Sequence, residues 1–387
     1  MKKKASSRHP LIPLTLALYT ISFSLHADEG SPGATFSDKG LTLGYQDFQL
    51  TIGTLLQYDW VKPDEDKTVL PSDHDWRNTQ VSFSGKYGND WSFKYGYDFT
   101  SIGHKDAWLS YKPYYLIIGQ FKSPVGLENQ HSSRWWTFNE SAMTTTLAPQ
   151  RFVGVMWQPV LGDWTFAAAL QKGNVNDEKG HQPLRTSTRL TWSPLHSDIE
   201  TLHLGASLQW LSFNDKNRTV SFAALPEVKH RKMPKLISTG KLEAKEQQTG
   251  GLEAGYVFGP LSLRGEYLTH RVKESLDRKT LYFQSAYLQA SYFLDGETSI
   301  TYNRDKARFD KPSNVNQRWE VAARGSWADL DDRDIKGGIE KNYTLGINFY
   351  YNLNLRFTLN YTLAEVTGGI NGDERPSLIS FRTQLAF

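Results

Sequence analysis

Residues 89–100 read NDWSFKYGYDFT, which sets Trp91, Phe93, Tyr95, Tyr97 and Phe99 on one side of an extended chain. Ser92, Lys94, Gly96, Asp98 and Thr100 fall on the other side. Strict alternation over ~10 residues is what a tilted strand needs to meet lipid with one face and water with the other. The pattern returns late in the chain, where Tyr343, Leu345, Ile347 and Phe349 alternate with Thr344, Gly346, Asn348 and Tyr350. It continues as Leu355, Phe357, Leu359, Tyr361 and Leu363 against Asn354, Arg356, Thr358, Asn360 and Thr362. A soluble sandwich also alternates, but seldom with five aromatics in succession on one face.

Composition separates the remaining classes. With 39% hydrophobic residues and a mean hydropathy of −0.52, a bundle of membrane helices is excluded. Aromatics reach 13%, as an alternating sheet between lipid and water requires, although a large soluble β-protein would share that average. Residues 1–27 read as an export leader: Lys2, Lys3, Lys4 and Arg8 make the positive end, residues 11–25 a short apolar core, and Ala27 a small residue at the cut. Removing those four bases leaves 40 basic against 41 acidic residues in 28–387. The basic sequence pI is therefore partly the leader's, and no global field points to nucleic acid. No cysteine is present, so no disulfide enters the argument. The final run, SFRTQLAF, places Phe381, Leu385 and Phe387 on one face and ends on an aromatic. That ending resembles the assembly signal of outer-membrane barrels.

Connection lengths predict the topology. Short turns at 88–90, 112–114, 159–163, 194–198, 259–260 and 352–354 would face the periplasm. Long connections at 62–74, 123–150, 174–183, 214–247, 328–340 and 368–376 would face outward, and the lead over 28–40 would be mobile. Reading 296–317 as a long periplasmic excursion keeps the strand number even, at about sixteen. The expected architecture is an all-β transmembrane antiparallel barrel filling 28–387, in the bacterial outer membrane, among lipid and lipopolysaccharide. One long polar connection, 123–150, lies between two apolar runs and is expected to fold into the lumen.

With apolar faces toward lipid, the charged inward positions include Lys94, Arg185, Arg189, Arg264, Arg324, Arg356 and Arg382. A ladder of bases in a confined path favours anions, and arginine suits bidentate contact with tetrahedral oxyanions. Such charges can equally pair across strands and keep a lumen hydrated. Within the long loop, Lys122, Arg134 and Arg151 are the candidates for a constriction, with Ser132 and Ser133 as hydroxyl donors; Arg151 could instead cap its strand. A basic face at Arg304, Lys306 and Arg308 and a basic run over 229–245 stand near the two ends of the path. No phosphate-binding glycine loop, HExxH pair or nucleophile elbow occurs, and the histidines lack metal-ligand spacing. The expectation is a porin without enzymatic activity or cofactor, with a non-conducting adhesin or receptor barrel as the alternative from another class.

Several segments resemble the phosphate-selective porin O and P family. They are GQFKSPVGLE at 119–128, SSR at 132–134, the Phe138 and Glu140 pair, APQRFVGV at 148–155, RLTWSP at 189–194, YFLDGE at 292–297, WEVAARGSW at 319–327 and GINFYYNLNLRFTLNY at 346–361. The resemblance implies a sixteen-stranded homotrimeric outer-membrane porin with a basic inward loop and small anions, phosphate or polyphosphate, as solutes. Two positions depart from the family's pattern. Ser141 follows Glu140 where an arginine is common, and Asn78 follows Arg77 where a second arginine is usual.

Overall fold

Each alternating run of the sequence becomes one stave of a closed antiparallel barrel. The computed structural model describes residues 33–176, 183–213, 219–275 and 279–387; the leader at 1–27 lies outside them. The first half of the wall comprises β1 (Phe48–Asp64), β2 (Asp73–Tyr87), β3 (Trp91–Asp98), β4 (Gly103–Tyr111), β5 (Leu116–Lys122), β6 (Arg151–Trp157), β7 (Trp164–Lys172) and β8 (Leu184–His196). The second half comprises β9 (Glu200–Ser212), β10 (Leu242–Phe258), β11 (Leu261–Glu274), β12 (Thr280–Phe293), β13 (Arg318–Asp332), β14 (Ile335–Tyr350), β15 (Leu355–Gly369) and β16 (Ser377–Ala386). Every strand pairs with its sequence neighbour, and β16 closes on β1 with Arg382 opposite Asp59. The terminal residue finishes the seam: Phe387 exchanges backbone hydrogen bonds with Thr54 at 3.0 and 3.1 Å. Closure leaves no open edge and satisfies the backbone internally, which a lipid-embedded sheet requires.

Which face a residue occupies follows the alternation. On β14, Tyr343, Leu345 and Ile347 are exposed outward while Asn342, Thr344 and Asn348 are buried inward. The wall is uneven in height. Strands β3 to β7 have only seven to nine residues, whereas β8 to β15 have thirteen to seventeen.

Three expectations need correction, and a fourth gains detail. The 28–40 lead is not wholly loose: Gly33–Ser37 and Gly40–Tyr45 form a hairpin whose second strand pairs with the start of β1, Leu41 opposite Ile52. No long connection exists at 328–340, because β13 and β14 stay paired out to Asp332 and Ile335. The loop after Asn214 ends early, at Leu242, where residues expected in the loop already pair with β11. The 296–317 excursion is a second hairpin, Ile300–Asn303 against Arg308–Pro312, standing apart from the wall's own ladder. Parity therefore holds for the expected reason: that segment is not a stave.

Candidate functional site

The inward loop, residues 123–150, leaves β5 and descends through the lumen before returning to β6. Its backbone groups need partners away from bulk water, and the wall supplies them from alternate inward positions. Gln57 donates to the Ser133 carbonyl and Gln384 to the Arg134 carbonyl. Arg356 takes Trp136, Asn348 takes Thr137, Arg382 takes Asn139, and Arg324 takes Glu140, each through the carbonyl oxygen. The loop's aromatic, Phe138, is 1% exposed. Its ring lies over the missing side chain of Gly346, where a Cβ would come within 3.0 Å, and under the Arg324 guanidinium at 4.4 Å.

Carboxylates complete the attachment. Glu140 binds Arg77 twice, through Nε and at 2.8 Å through Nη2, and accepts from Arg382 at 3.1 Å. Burial opposes its charge, but the Arg77 and Arg382 guanidiniums hold Glu140 below the usual carboxylate range. Arg382 also clasps Asp59 with two bonds of 2.6 Å. The Phe138 and Glu140 pair read in the sequence is thus a ring in a socket and a carboxylate between two arginines.

Two further segments fill the lumen. The segment 219–241 folds back across one mouth, where Ala223–Ala224 pairs with Ile237–Ser238. Its Phe222, Val228, Met233, Leu236 and Ile237 bury against Met143 and Leu147 of the inward loop and against the wall. Glu227 pins it with bonds to Arg324 at 2.6 Å and to Ser326 and Thr344. From the opposite mouth, the 300–312 hairpin rises between β7, β8, β9 and the inward loop. Thr165 donates to the Arg304 carbonyl, Arg189 to the Ala307 carbonyl, and Arg308 to the Gln130 carbonyl. Tyr302 meets the His203 ring at 2.7 Å.

What stays open is a cavity of about 710 Å³ between the inward loop and the β1–β6 side of the wall. Ten basic residues line it: Arg77, Lys94, Lys105, Lys122, Arg134, Arg151, Lys229, Lys235, Lys306 and Arg308. Against them stand four acids, Asp106, Glu128, Glu140 and Glu227. Asp106 is paired with Lys94 at 3.0 Å and Arg151 at 2.7 Å; Glu140 and Glu227 face the arginines already named. Glu128 lies beside His131, whose ring burial and the nearby Arg264 pull down to about 4 despite the carboxylate, so it is neutral at pH 7. Lys229 titrates below the ordinary lysine value because Arg77 is close and water is scarce. Lost hydration, with Arg308 and Lys94 adjacent, brings Lys306 down to about 8. Crowded like charges depress one another in this way when the carboxylates present are too few to neutralise them.

The residues singled out from sequence divide by position. Lys122, Ser132, Ser133, Arg134 and Arg151 all line the cavity. Lys122 donates to the carbonyls of Asn129 and His131 at 2.7 and 2.8 Å, so it also shapes the loop. The Ser132 hydroxyl accepts from Arg134 N at 3.4 Å. Arg134 stacks on Trp135 at 4.6 Å and donates to the carbonyls of Asp38, Leu353 and Ala386. Of the ladder, Lys94 alone reaches the cavity. Arg324, Arg356 and Arg382 hold the inward loop, and Arg189 holds the hairpin while paired to Glu253 at 2.6 Å. Arg264 lies over Phe309 at 4.8 Å, and Arg185 over Phe152 at 3.5 Å. These six face inward as the alternation requires, but their charge is spent on carbonyls, carboxylates and rings. The cavity's other bases come from strand positions or from the two inserted segments. Their basic runs were visible in sequence, but nothing local indicated that the segments turn inward. The departure at Asn78 places a buried amide against Gln57 where a second guanidinium is usual.

Comparison with known proteins agrees with this geometry. Residues 48–387 match the family described as phosphate-selective porin O and P. The chain is 24% identical to Porin O of Pseudomonas aeruginosa over 88% of its length and 89% of that protein's. In fold it is similar to OmpT of Vibrio cholerae (TM-score 0.55, 9% identity, 89% of this chain and 99% of that one). It is also similar to the outer-membrane channel DcaP of Acinetobacter baumannii (TM-score 0.51, 11% identity, 88% and 97%).

Proposed function

The chain belongs to the phosphate-selective porin O and P family, an outer-membrane porin family, and from that premise we propose that it forms a water-filled channel preferring small anions, phosphate or polyphosphate among them. The carrying observation is the cavity's charge, ten bases to four acids, with three of the acids already ion-paired to arginine or lysine. An anion entering such a path exchanges water for Lys and Arg contacts in a confined space, where each charge counts for more than in bulk. Several bases in succession allow it to move on rather than remain at one. Lys122, Arg134 and Arg151 act at the narrow part with the Ser132 and Ser133 hydroxyls, and Lys94 extends the path along the wall. Transport runs down the gradient and uses no cofactor.

We also propose a homotrimer. Seven to nine residues at about 3.3 Å each, inclined by about 45°, rise roughly 16–21 Å, short of an apolar band ~25 Å tall. Strands β3 to β7 nonetheless present Trp91, Tyr95, Leu109, Ile118, Val155 and Trp157 outward. A low apolar wall is poorly matched to lipid and well matched to the same wall of a neighbouring copy.

Planar-bilayer recording tests the channel. In a KCl gradient the reversal potential should be anion-sided, added phosphate should reduce the chloride current, and Lys122→Ala or Arg134→Ala should relieve that block. An anion-sided reversal without phosphate block would leave a weakly selective general porin, and a cation-sided one would sink the anion reading. The three inserted segments favour one rival, a barrel that serves as a receptor and does not conduct. Complete absence of current would select it.

A further inference from the structure

We propose that the periplasmic hairpin at 300–312 is a prop that sets the bore of the constriction, through Phe309 seated in a socket at Gly255. The proposal rests on the channel reading above but not on which ion the channel prefers.

Phe309 is 2% exposed and sits where three wall strands and the inward loop converge. Gly255 on β10 faces the lumen, and a Cβ there would overlap the Phe309 ring. The ring lies 5.9 Å from His203 on β9, with the Arg264 guanidinium of β11 over its face at 4.8 Å. On the far side it meets the His131 ring at 6.2 Å and shares an apolar cluster with Leu127, both on the inward loop. Directly beside it, Arg308 donates to the Gln130 carbonyl at 2.9 Å. One aromatic therefore fills the space between the barrel wall and the segment 127–131, and that segment forms one side of the cavity.

The inward loop has other attachments here, from Gly126 N to Ser207 at 3.4 Å and from Glu128 N to Glu266 at 2.8 Å. Those act as tethers: they limit how far the segment can move from the wall, whereas only a filled space stops it from moving toward the wall. Close-packed groups transmit such displacement because the interior has little free volume to absorb it. Without the ring, residues 127–131 should settle toward β9–β11 and widen the cavity on its other side. Phe309 is thus a positioning residue, acting on the path through Leu127 and His131.

The test compares full-length wild type with Phe309→Ala, Phe309→Leu and Gly255→Ala, each confirmed as folded by heat-modifiable migration on gels. Phe309→Ala should raise single-channel conductance and admit larger polyethylene glycols, while the sign of the reversal potential stays as in wild type. Phe309→Leu, which refills much of the space, should fall between. Gly255→Ala should instead narrow the channel, because its Cβ pushes the ring off the wall and the ring carries residues 127–131 toward the cavity. Combining Gly255→Ala with Phe309→Ala should add nothing further. A merely structural role would lower stability without this ordered change in bore. Folded Phe309→Ala with wild-type conductance and the same polymer cut-off would overturn the proposal. If Phe309→Ala does not fold, the other two single variants decide: opening by Phe309→Leu or narrowing by Gly255→Ala supports the prop, and wild-type conductance in both refutes it. Should wild type prove silent, current gained by Phe309→Ala would support the prop acting as a closure, and continued silence would refute it.

Discussion

Replacing Arg382 with glutamine removes the side chain on which the seam and the inward loop both depend. Arg382 is fully buried; it binds Asp59 with two bonds of 2.6 Å, Glu140 at 3.1 Å, and the Asn139 carbonyl. A glutamine is shorter and uncharged, so it cannot reach all of these and leaves Asp59 without its guanidinium. Removing one member of a buried pair costs about 3–5 kcal/mol, most of it from the charge left uncompensated. Glu140 loses less, because Arg77 still holds it at 2.8 Å, and its carboxyl should rise toward the ordinary range. Guanidinium unfolding in detergent micelles, followed by tryptophan fluorescence, should show the loss. Trypsin cleavage after Arg134 should accelerate as the inward loop detaches more often. Asp59→Asn in the same chain removes the stranded carboxylate, so the double variant should be more stable than the sum of the two losses, by ~0.5–3 kcal/mol. Additive losses, or an unchanged unfolding midpoint with unchanged cleavage, would refute the reasoning.

Two further outcomes follow from the same geometry. Lys306 titrates near 8, so its ammonium is charged below that pH and neutral above it; anion preference should fall as pH rises from 7 to 9, and Lys306→Ala should remove that alkaline step in the reversal potential. On the low wall, Val155→Lys puts a charge on an outward position of β6, and the trimer should give way to monomers on mild-detergent gels; an unaltered trimer band would locate the subunit contact elsewhere.

The alternation of aromatic and polar residues was sufficient to determine the barrel and which face of each strand meets lipid. Those properties are local: a period of two puts Tyr343, Leu345 and Ile347 outward whatever else the chain does. Placing 296–317 outside the wall followed from parity alone. The role of the inward charges was not local. Arg324, Arg356 and Arg382 look alike in sequence to Lys94, yet the carbonyls of residues 136–140 occupy the first three, while Lys94 borders the cavity. That partition depends on where a loop more than a hundred residues distant in the chain comes to rest. Likewise, in sequence the basic runs near 229–245 and 304–308 stand near the two ends of the path, with an anion role and a solvated loop both open. Burial of Phe222, Leu236 and Ile237 at one mouth, and of Phe309 at the other, draws Lys229, Lys235, Lys306 and Arg308 into the lumen. Sequence periodicity therefore determined the wall and its sidedness. Tertiary packing decided which charges are consumed by backbone oxygens and which remain along the path, because a guanidinium's free charge depends on partners that only the closed barrel brings within reach.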